Sequence, residues 1–465
     1  MGRTRSSRRR LMLSILSFVL GTLFFALCLP VTQSVESSAG AQQSTKYKTP
    51  GTHRWRPTLP GNPYSDDPSL VSTATVEGRL AVFDDVWETI QTRYYDPSLN
   101  GIDWPAKRDA FRPAAAKANN AQELYDVMRQ MIASLKDPHT RVYSPDEKFD
   151  WWNPRYVTVG LAIREIEGIP IVVYVESGSA AARAEIRPGD AIVSVDDEPV
   201  AKFISTRLAN FGSRVNGPAR YRSIASLFDG PPGTSVKVGW TTRNRKSKSV
   251  VLPRYWTQRH LGFSVQRKGK VAILRIDAFT QSVALEFSRA LTDVLDGADS
   301  IVLDLRYNGG GDAEAMADVA SLFLDDGINL GKFADRSGAS FELQTYSKRL
   351  WRVPQLSRIK LPLVVLTSES TSSAAEIMVA ALQIKGRARV IGAGTCGCVL
   401  AIRNRHALPD GGILDVSEFD YRTATGVRLE GRGIKPDETI TPTRNDIYSR
   451  RDPALEIARN LFSNR

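Results

Sequence analysis

Histidine and cysteine are scarce in this chain, whose 465 residues include four histidines and three cysteines. Two of the cysteines, Cys396 and Cys398, are separated by a single glycine. By themselves they are too few for a four-ligand zinc site. The scarcity of both ligand types argues against a metal enzyme, and nothing in the sequence implies a metal or nucleotide cofactor.

The sequence also lacks a nucleic-acid recognition motif, although its formal net charge is +12. The basic residues are spread along the chain, with one cluster, RNRKSK, at residues 243–248. Scattered charge of this kind is typical of solvated loops, so we expect no nucleic-acid partner. Hydrophobic residues make up 42% and charged residues 24% of the chain, as in ordinary globular proteins. The length allows two or three domains.

The N-terminus combines a basic segment with a long apolar run. MGRTRSSRRR carries five arginines and no acidic residue, and LMLSILSFVLGTLFFALCLPV follows it. A basic flank, an apolar core and the small-residue sequence AGA at residues 39–41 are typical of an export signal. The run at residues 11–31 is also long enough to span a bilayer. We therefore interpret residues 1–41 as a signal peptide or a membrane anchor, and predict an exported, periplasmic or otherwise extracytoplasmic protein.

The rest of the chain changes its pattern several times. Helical periodicity appears in RLAVFDDVWETIQTRYY and AQELYDVMRQMIASL, short strands and turns follow, and alternating strands and helices then indicate an α/β core. The predicted segments are a linker (42–75), a helical segment (76–150), a β-rich module (156–252), an α/β domain (260–445) and a C-terminal helix or tail (446–465).

The β-rich module resembles a PDZ domain. The resemblance rests on the strand-like segments YVTVGLAIREI and IPIVVYVE and on the Pro-Gly-Asp turn ahead of AIVSV. It implies that Gly160, Leu161, Ala162 and Ile163 form the loop whose amides bind the terminal carboxylate of a peptide, which then adds to the sheet as a strand. Proteins or peptides are therefore the expected partners.

A serine stands at the predicted start of a helix in TSESTSSAAEIMVAALQ. Ser373 takes the N-cap position and Glu376 follows three residues later, as in a capping box. The same position suits a nucleophile, because a helix N-terminus offers backbone donors to a developing oxyanion. The glycine turn in DLRYNGGG is likewise either a simple turn or half of an oxyanion hole. The residues alone leave both interpretations open.

The order of these motifs resembles the C-terminal processing (tail-specific) protease family. The helical segment, the PDZ-like module, DLRYNGGG, SSAAEIMVAALQIKGRARVIGAGT, LPDGG and GVRLEGRGIKPD follow one another across residues 75–440. The resemblance implies an α/β fold with an inserted PDZ domain and a crotonase-like serine protease core. It also implies an exported serine endopeptidase that binds C-termini or unfolded segments, with Ser373 as nucleophile and the amides of Gly310 and Ala374 as oxyanion hole.

The sequence departs from the family pattern at the base. The family's usual base is a lysine in a loop after the serine-bearing helix, assisted by a glutamine four residues later. The aligned positions here are Cys398 and Ile402. The tricorn-like branch of the same superfamily instead uses a histidine before the PDZ domain and a late glutamate, and the matching regions supply His139 and Glu430. The resemblance therefore implies a triad of Ser373, His139 and Glu430.

Several alternatives stay open at this point. His406 is a second candidate for the base, whereas Lys385 lies in a turn where it would face solvent. Cys398 is a candidate thiolate base or a nucleophile in its own right, and with Cys396 it also fits a structural or redox pair. The missing lysine and glutamine also fit a catalytically inactive scaffold that binds peptides through its PDZ domain.

Overall fold

The computed structural model describes residues 70–147, 155–209, 217–258, 262–346 and 358–463. The predicted signal or anchor and most of the predicted linker lie outside these ranges. Within the described ranges, no helix combines the length and the apolar character needed to cross a bilayer.

The first described segment is helical and ends in a short strand. Each helix begins at a side-chain cap, provided by Thr75, Asp103 and Asn120, which satisfies an amide that the first turn leaves free. Apolar residues recur every three or four positions and bury one face of each helix. The elements are α1 (Val76–Arg93), α2 (Trp104–Lys117), α3 (Ala121–Ala133) and β1 (Arg141–Tyr143), with 3₁₀ turns at Leu99–Gly101 and Pro145–Glu147.

The next segment forms a small β-rich module around its own core. Its main sheet has the strand order β3-β4-β5-β7-β8, and β6 pairs with β5, whereas β2 pairs with β9 in a separate ribbon. Strand β3 lies at one edge of the main sheet, and helix α6 packs against it. The elements are β2 (Arg155–Thr158), β3 (Leu161–Ile166), β4 (Ile169–Val175), α4 (Ala180–Arg183), β5 (Ala191–Val195), β6 (Glu198–Pro199), α5 (Val200–Ala209), α6 (Gly217–Ala225), β7 (Ser235–Thr241), β8 (Ser247–Pro253) and β9 (Tyr255–Gln258).

The last segment, from Phe263 to Ser463, is an α/β arrangement built on two sheets. The main sheet has the order β10-β11-β12-β15-β16-β19 and is parallel except for β10. A second sheet has the order β1-β18-β13-β14, with β17 also paired to β18. The elements are β10 (Phe263–Lys268), β11 (Val271–Ile276), α7 (Gln281–Leu295), β12 (Ser300–Asp304), α8 (Ala313–Ala320), β13 (Asn329–Asp335), β14 (Ser340–Gln344), β15 (Leu363–Thr367), α9 (Ala374–Ile384), β16 (Ala388–Gly392), β17 (Ala401–Ala407), β18 (Ile413–Arg422), β19 (Glu438–Thr439), α10 (Arg444–Tyr448) and α11 (Pro453–Ser463).

Both faces of the main sheet are covered, which explains its nearly continuous apolar strands. Strands β12 and β15 are buried along their whole length. Helices α7, α8 and α9 contribute to the larger core, and α11 covers the opposite face. The N-terminal helices share a separate core with residues of β18, so strand β18 connects the helical segment to the α/β domain.

Candidate active site

Loops that follow three neighbouring parallel strands meet at one edge of the main sheet. Strand β12 leads into residues 305–312, β15 into residues 368–373, and β16 into residues 393–400. The Ser372 N–H donates to Asn308 O (3.1 Å), and the Ser373 N–H donates to Cys398 O (2.8 Å). The carboxyl edge of a parallel sheet is where α/β proteins usually place their sites, and here the hydrogen bonds tie all three loops together.

Ser373 occupies an unusual backbone conformation at the start of α9. Its φ is +56° and its ψ is −126°. A non-glycine residue held in such a sparsely populated region costs on the order of 1–3 kcal/mol and is most often found at functional sites. The Glu376 carboxylate accepts from the Ser373 N–H (3.1 Å), as in the predicted capping box. The surrounding loops therefore impose a conformation that a simple helix cap does not need.

The glycine turn lies directly against this serine. Gly310 has a φ of +94°, and a Cβ built on it would lie 2.6 Å from Ser373 Cβ. The Gly310 N–H, however, donates to Asn308 Oδ1 (2.8 Å). This corrects the expectation that the Gly310 amide is free to bind an oxyanion. Among the described residues, the Ala374 amide at the first position of α9 has no acceptor, so it remains available.

Glu376 links the first turn of α9 to the segment that follows β16. Its carboxylate is fully buried and accepts hydrogen bonds from Gly397 N (2.7 Å), Cys398 N (3.0 Å) and the Thr395 hydroxyl. Burial raises the pKa of Glu376 to about 6, although the hydrogen bonds from these donors act in the opposite direction. The first turn of α9 and the segment after β16 are thus held by one carboxylate.

Cys396 and Cys398 are joined in a disulfide. Both are buried, and the carbonyl of Cys398 is the group that accepts from the Ser373 N–H. A disulfide sulfur carries no proton and is no thiolate, so this structure does not support Cys398 as base or nucleophile. At the position where the family pattern has its lysine, this chain has Cys398, whose carbonyl supports the backbone of Ser373.

His139 lies in a tight turn between α3 and β1. Its backbone N–H donates to Asp137 Oδ1 (2.8 Å), and its Nδ1 is 3.7 Å from the same oxygen. The Thr140 hydroxyl donates to Asp137 Oδ2 (2.5 Å). Burial alone would raise the pKa of the Asp137 carboxyl, but contacts with His139 and Thr140 outweigh burial and hold the pKa below its ordinary value. Asp137 is therefore an ionised carboxylate beside the imidazole.

Glu430 lies close to both His139 and the disulfide loop. Its Oε2 accepts from Val399 N (2.7 Å) and Leu400 N (3.2 Å), immediately after Cys398. Burial raises the pKa of the Glu430 carboxyl, while the charge of His139 and these amides act in the opposite direction. Ser373 and Glu430 thus both bind residues 398–400, and His139 interacts electrostatically with Glu430, although among the described residues no hydrogen bond joins Ser373 to His139.

Helix α6 of the β-rich module reaches into the same region. Arg222 Nη1 lies 3.2 Å from Cys398 Sγ. Burial lowers the pKa of the Arg222 guanidinium, and the nearby carboxylates of Glu430, Asp137 and Glu376 oppose that change. Arg222 therefore interacts electrostatically with all three of these buried carboxylates.

Other candidates from the sequence lie elsewhere. His406 is on strand β17 with its Nε2 3.1 Å from Glu418 Oε1, and Lys385 is exposed at the far end of α9 from Ser373. An 11-residue helix separates Lys385 from the serine, which corresponds to roughly 16 Å. Within the described residues, no group of three or more His, Cys, Asp or Glu side chains is arranged to hold a metal ion.

The predicted carboxylate-binding loop differs from the expectation in detail. The Gly160 N–H donates to Thr158 Oγ1 (3.0 Å), so this amide is not free to hold a carboxylate. Leu161, Ala162 and Ile163 are the first residues of edge strand β3 rather than part of a loop. An edge strand beside a helix is nevertheless the arrangement to which an extended peptide can add.

Sequence reasoning missed two residues that shape the site. Asp137 was not recognised as a partner of His139, although the run KDPHT is a typical Asp-initiated turn that brings an Asp side chain to an amide two residues later. Asn308 was read only as part of a glycine turn, yet it is completely buried and accepts from Gly310 N. A buried amide next to three glycines was the available signal.

Comparison with protein families assigns most of the described chain. Residues 270–440 match peptidase family S41, residues 77–133 match the tricorn protease C1 domain, and residues 171–211 match a PDZ domain. The carboxyl-terminal-processing protease of Picosynechococcus sp. is 28% identical over 364 residues, which cover 76% of this chain and 81% of that protein. The carboxy-terminal processing protease CtpA of Bacillus subtilis is 27% identical over 317 residues, covering 66% and 62% respectively.

Among solved structures, mature CPAF in complex with lactacystin aligns with a TM-score of 0.59 at 14% identity, covering 80% of this chain and 95% of that one. At this identity the likeness shows the fold alone. The matches confirm the predicted fold class, with N-terminal helices, a PDZ domain and an α/β protease-fold core. Residues 270–440 thus match peptidase family S41, residues 171–211 match a PDZ domain, and the chain is similar to the carboxyl-terminal-processing proteases.

Proposed function

We propose that the protein is an exported serine endopeptidase that binds C-termini or unfolded segments of proteins through its PDZ domain and cleaves them at Ser373. The observation that carries the proposal is the positive-φ conformation of Ser373 at the N-terminus of α9, in contact with the Gly310 turn. Three loops impose this conformation at an energetic cost, which a serine with a purely structural role would not require.

In the proposed reaction, Ser373 Oγ attacks the carbonyl carbon of the scissile bond while His139 accepts the hydroxyl proton. The imidazolium then donates this proton to the leaving amine, which leaves an acyl-enzyme. Water attacks the acyl-enzyme with His139 again acting as base, and the acid product and the free serine are released. A general base of this kind contributes typically 10²–10⁴-fold to the rate.

Backbone amides would stabilise the tetrahedral oxyanion. The Ala374 amide points from the first position of α9, where the helix dipole also favours negative charge. The second donor would be an amide of the turn at residues 309–311. It is not the Gly310 amide, because the Gly310 N–H already donates to Asn308 Oδ1. One such donor is worth roughly 10²–10³-fold in rate.

Two carboxylates would support His139 in different ways. Asp137 lies 3.7 Å from Nδ1 and is held ionised, which suits a group that orients the imidazole and stabilises its protonated form. Glu430 adds a second carboxylate, which accepts from the Val399 and Leu400 amides and interacts electrostatically with His139. His139 Nδ1 is buried without a hydrogen-bond partner, so a small movement toward Asp137 would complete the arrangement.

The PDZ domain would deliver the substrate. A peptide added to the edge of β3, alongside α6, lies next to the nucleophile loop, since Arg164 of β3 pairs with Glu369 (2.6 Å) and Tyr221 of α6 contacts Ser370 (2.8 Å). The N-terminal run at residues 11–31 would direct the protein out of the cytoplasm as a signal or a membrane anchor.

A second candidate is a peptide-binding scaffold without catalysis. Two observations favour it. A disulfide-bonded cysteine stands at the position of the family lysine, and no hydrogen bond joins Ser373 to His139 among the described residues. Such a protein would still bind peptides through its PDZ domain but would not hydrolyse them.

Hydrolysis of a fluorogenic, unfolded polypeptide separates the two candidates. For the endopeptidase, Ser373→Ala should lower kcat/KM by at least about 10³-fold with the Kd for a C-terminal peptide unchanged. Ser372→Ala is the matched neighbour and should keep its activity within about tenfold. Equal rates for wild type and Ser373→Ala, with peptide binding intact in both, would support the scaffold instead.

A further inference from the structure

A cleft of about 620 Å³ opens between the N-terminal helices and the PDZ helices. One wall is formed by α2, α3 and the turn that follows α3, and the other by α5, α6 and the residue after α6. Its volume falls in the range of sites that bind ligands. Its charged lining residues are Lys107, Lys136, Asp137, Arg207 and Arg222.

The charge of this cleft is strongly one-sided. Four of its lining side chains are cations and one, Asp137, is a carboxylate. Asp137 is committed to the turn at His139, where it accepts two hydrogen bonds. Lys107 and Lys136 have no ion-pair partner within the described ranges. The two lysines therefore add positive charge to a concave site, and such charge attracts anions from solvent.

The cleft also leads to the catalytic centre. At one end Asp137 and Pro138 form the turn that carries His139. On the opposite wall Arg222 touches Cys398 Sγ, and the Cys398 carbonyl holds the Ser373 N–H. The cleft therefore borders the residues that hold His139 and the Cys398 segment behind Ser373.

The geometry points to a substrate preference: the cleft binds acidic side chains of the polypeptide close to the scissile bond, so that the enzyme favours segments rich in Asp and Glu. This inference rests on the proposed endopeptidase function. Lys107 and Lys136 determine the preference, and Arg207 and Arg222 complete the positive wall. Carboxylates are the matching chemistry, because lysine ammonium groups pair with them at protein surfaces.

Peptide binding to the full chain tests this directly. In the Ser373→Ala background, which prevents cleavage, fluorescence anisotropy would compare an amidated peptide rich in Asp and Glu with the same peptide carrying Asn and Gln. We expect the acidic peptide to bind more tightly, with an affinity that falls as salt is raised. Lys107→Gln combined with Lys136→Gln should weaken the acidic peptide by roughly tenfold and leave the neutral one unchanged.

A matched control removes the same charge elsewhere. Lys268 and Lys385 are exposed residues of the catalytic domain, and their combined change to Gln should affect neither peptide. Equal binding of both peptides, or an acidic preference that survives loss of Lys107 and Lys136, would overturn the inference. So would a preference that requires a free C-terminal carboxylate, or tighter lysine-dependent binding of a single-stranded oligonucleotide.

Hydrolysis rates of the wild type distinguish this inference from the proposed function. An acidic preference in binding, without any hydrolysis by the wild type, would contradict the endopeptidase proposal and leave the cleft assignment standing. Equal hydrolysis rates for acidic and neutral substrates would contradict the cleft assignment and leave the endopeptidase proposal standing.

Discussion

A single added methyl group at Gly310 should disable the nucleophile. A Cβ at this position would lie 2.6 Å from Ser373 Cβ, 2.9 Å from Ser372 O and 3.0 Å from Ala374 N. None of these atoms is the end of a flexible side chain that can rotate away. The glycine turn and the nucleophile loop must therefore separate.

The size of the effect follows from these distances. Ordinary contacts of a Cβ begin at 3.4 Å, so the loops must separate by about 1 Å. A misplacement of about 1 Å in a catalytic group can cost roughly 10²-fold in rate. The φ of +94° adds about 1–2 kcal/mol of backbone strain for alanine, and overpacking adds about 1–3 kcal/mol. We expect the free energy of unfolding to fall by about 2–5 kcal/mol, and the labelling rate of the folded variant to fall roughly 10²-fold.

The assay measures two quantities for each variant: the rate at which a fluorophosphonate labels Ser373, and the free energy of unfolding in urea. Gly338→Ala is the matched control, because Gly338 has a similar φ of +83° but no atom within 4 Å of its Cβ position. It should lose about 1–2 kcal/mol of stability and label at the normal rate. Normal labelling of folded Gly310→Ala, or equal slowing in both variants, would refute the reasoning.

Two further predictions concern the support of Ser373. Reduction of the Cys396–Cys398 disulfide by a dithiol, or replacement of both cysteines by serine, should slow the labelling of Ser373 severalfold. The reason is that the disulfide fixes the segment whose Cys398 carbonyl accepts from the Ser373 N–H. An unchanged labelling rate in protein shown by mass spectrometry to be reduced would contradict this prediction. Burial raises the pKa of Glu376 to about 6 from 4.5, so between these values the native state keeps a proton that the unfolded chain has released. The contribution of Glu376 to the free energy of unfolding is therefore greatest at low pH, and it falls by about 2 kcal/mol as pH rises through this window. Urea unfolding of wild type and Glu376→Gln at pH 4 and pH 7 checks this, and an equal difference between them at both pH values would contradict it.

Elements with strong periodicity could be predicted from the sequence, because their patterns reflect burial on one or two faces. Helices α1 and α3 match the predicted helical stretches RLAVFDDVWETIQTRYY and AQELYDVMRQMIASL. The N-cap position of Ser373 was likewise readable, because capping chemistry is local.

Features that depend on packing between distant segments could not be predicted. The basic cleft exists only because Lys107 and Lys136 of one segment face Arg207 and Arg222 of another. The positive φ of Ser373 depends on loops from three strands. No local pattern encodes such approaches, since side chains about 100 positions apart meet only in the folded chain.

The pairing of Gly310 with Asn308 was missed for a different reason. The two residues are neighbours in sequence, but a glycine turn has many hydrogen-bonding patterns, and the sequence does not select one of them. The expected roles of His139 and Glu430 remain predictions, supported by the hydrogen bonds of Glu430 to the amides of residues 399 and 400 and by its electrostatic interaction with His139.

The most direct test of a Ser373 nucleophile served by His139 is fluorophosphonate labelling of the full chain, with the modified residue mapped by mass spectrometry. The expected result is a label on Ser373 in the wild type, and a labelling rate lower by at least about 10²-fold in folded His139→Ala. A label on another residue, or a Ser373 that reacts as fast without His139, would contradict the proposed mechanism.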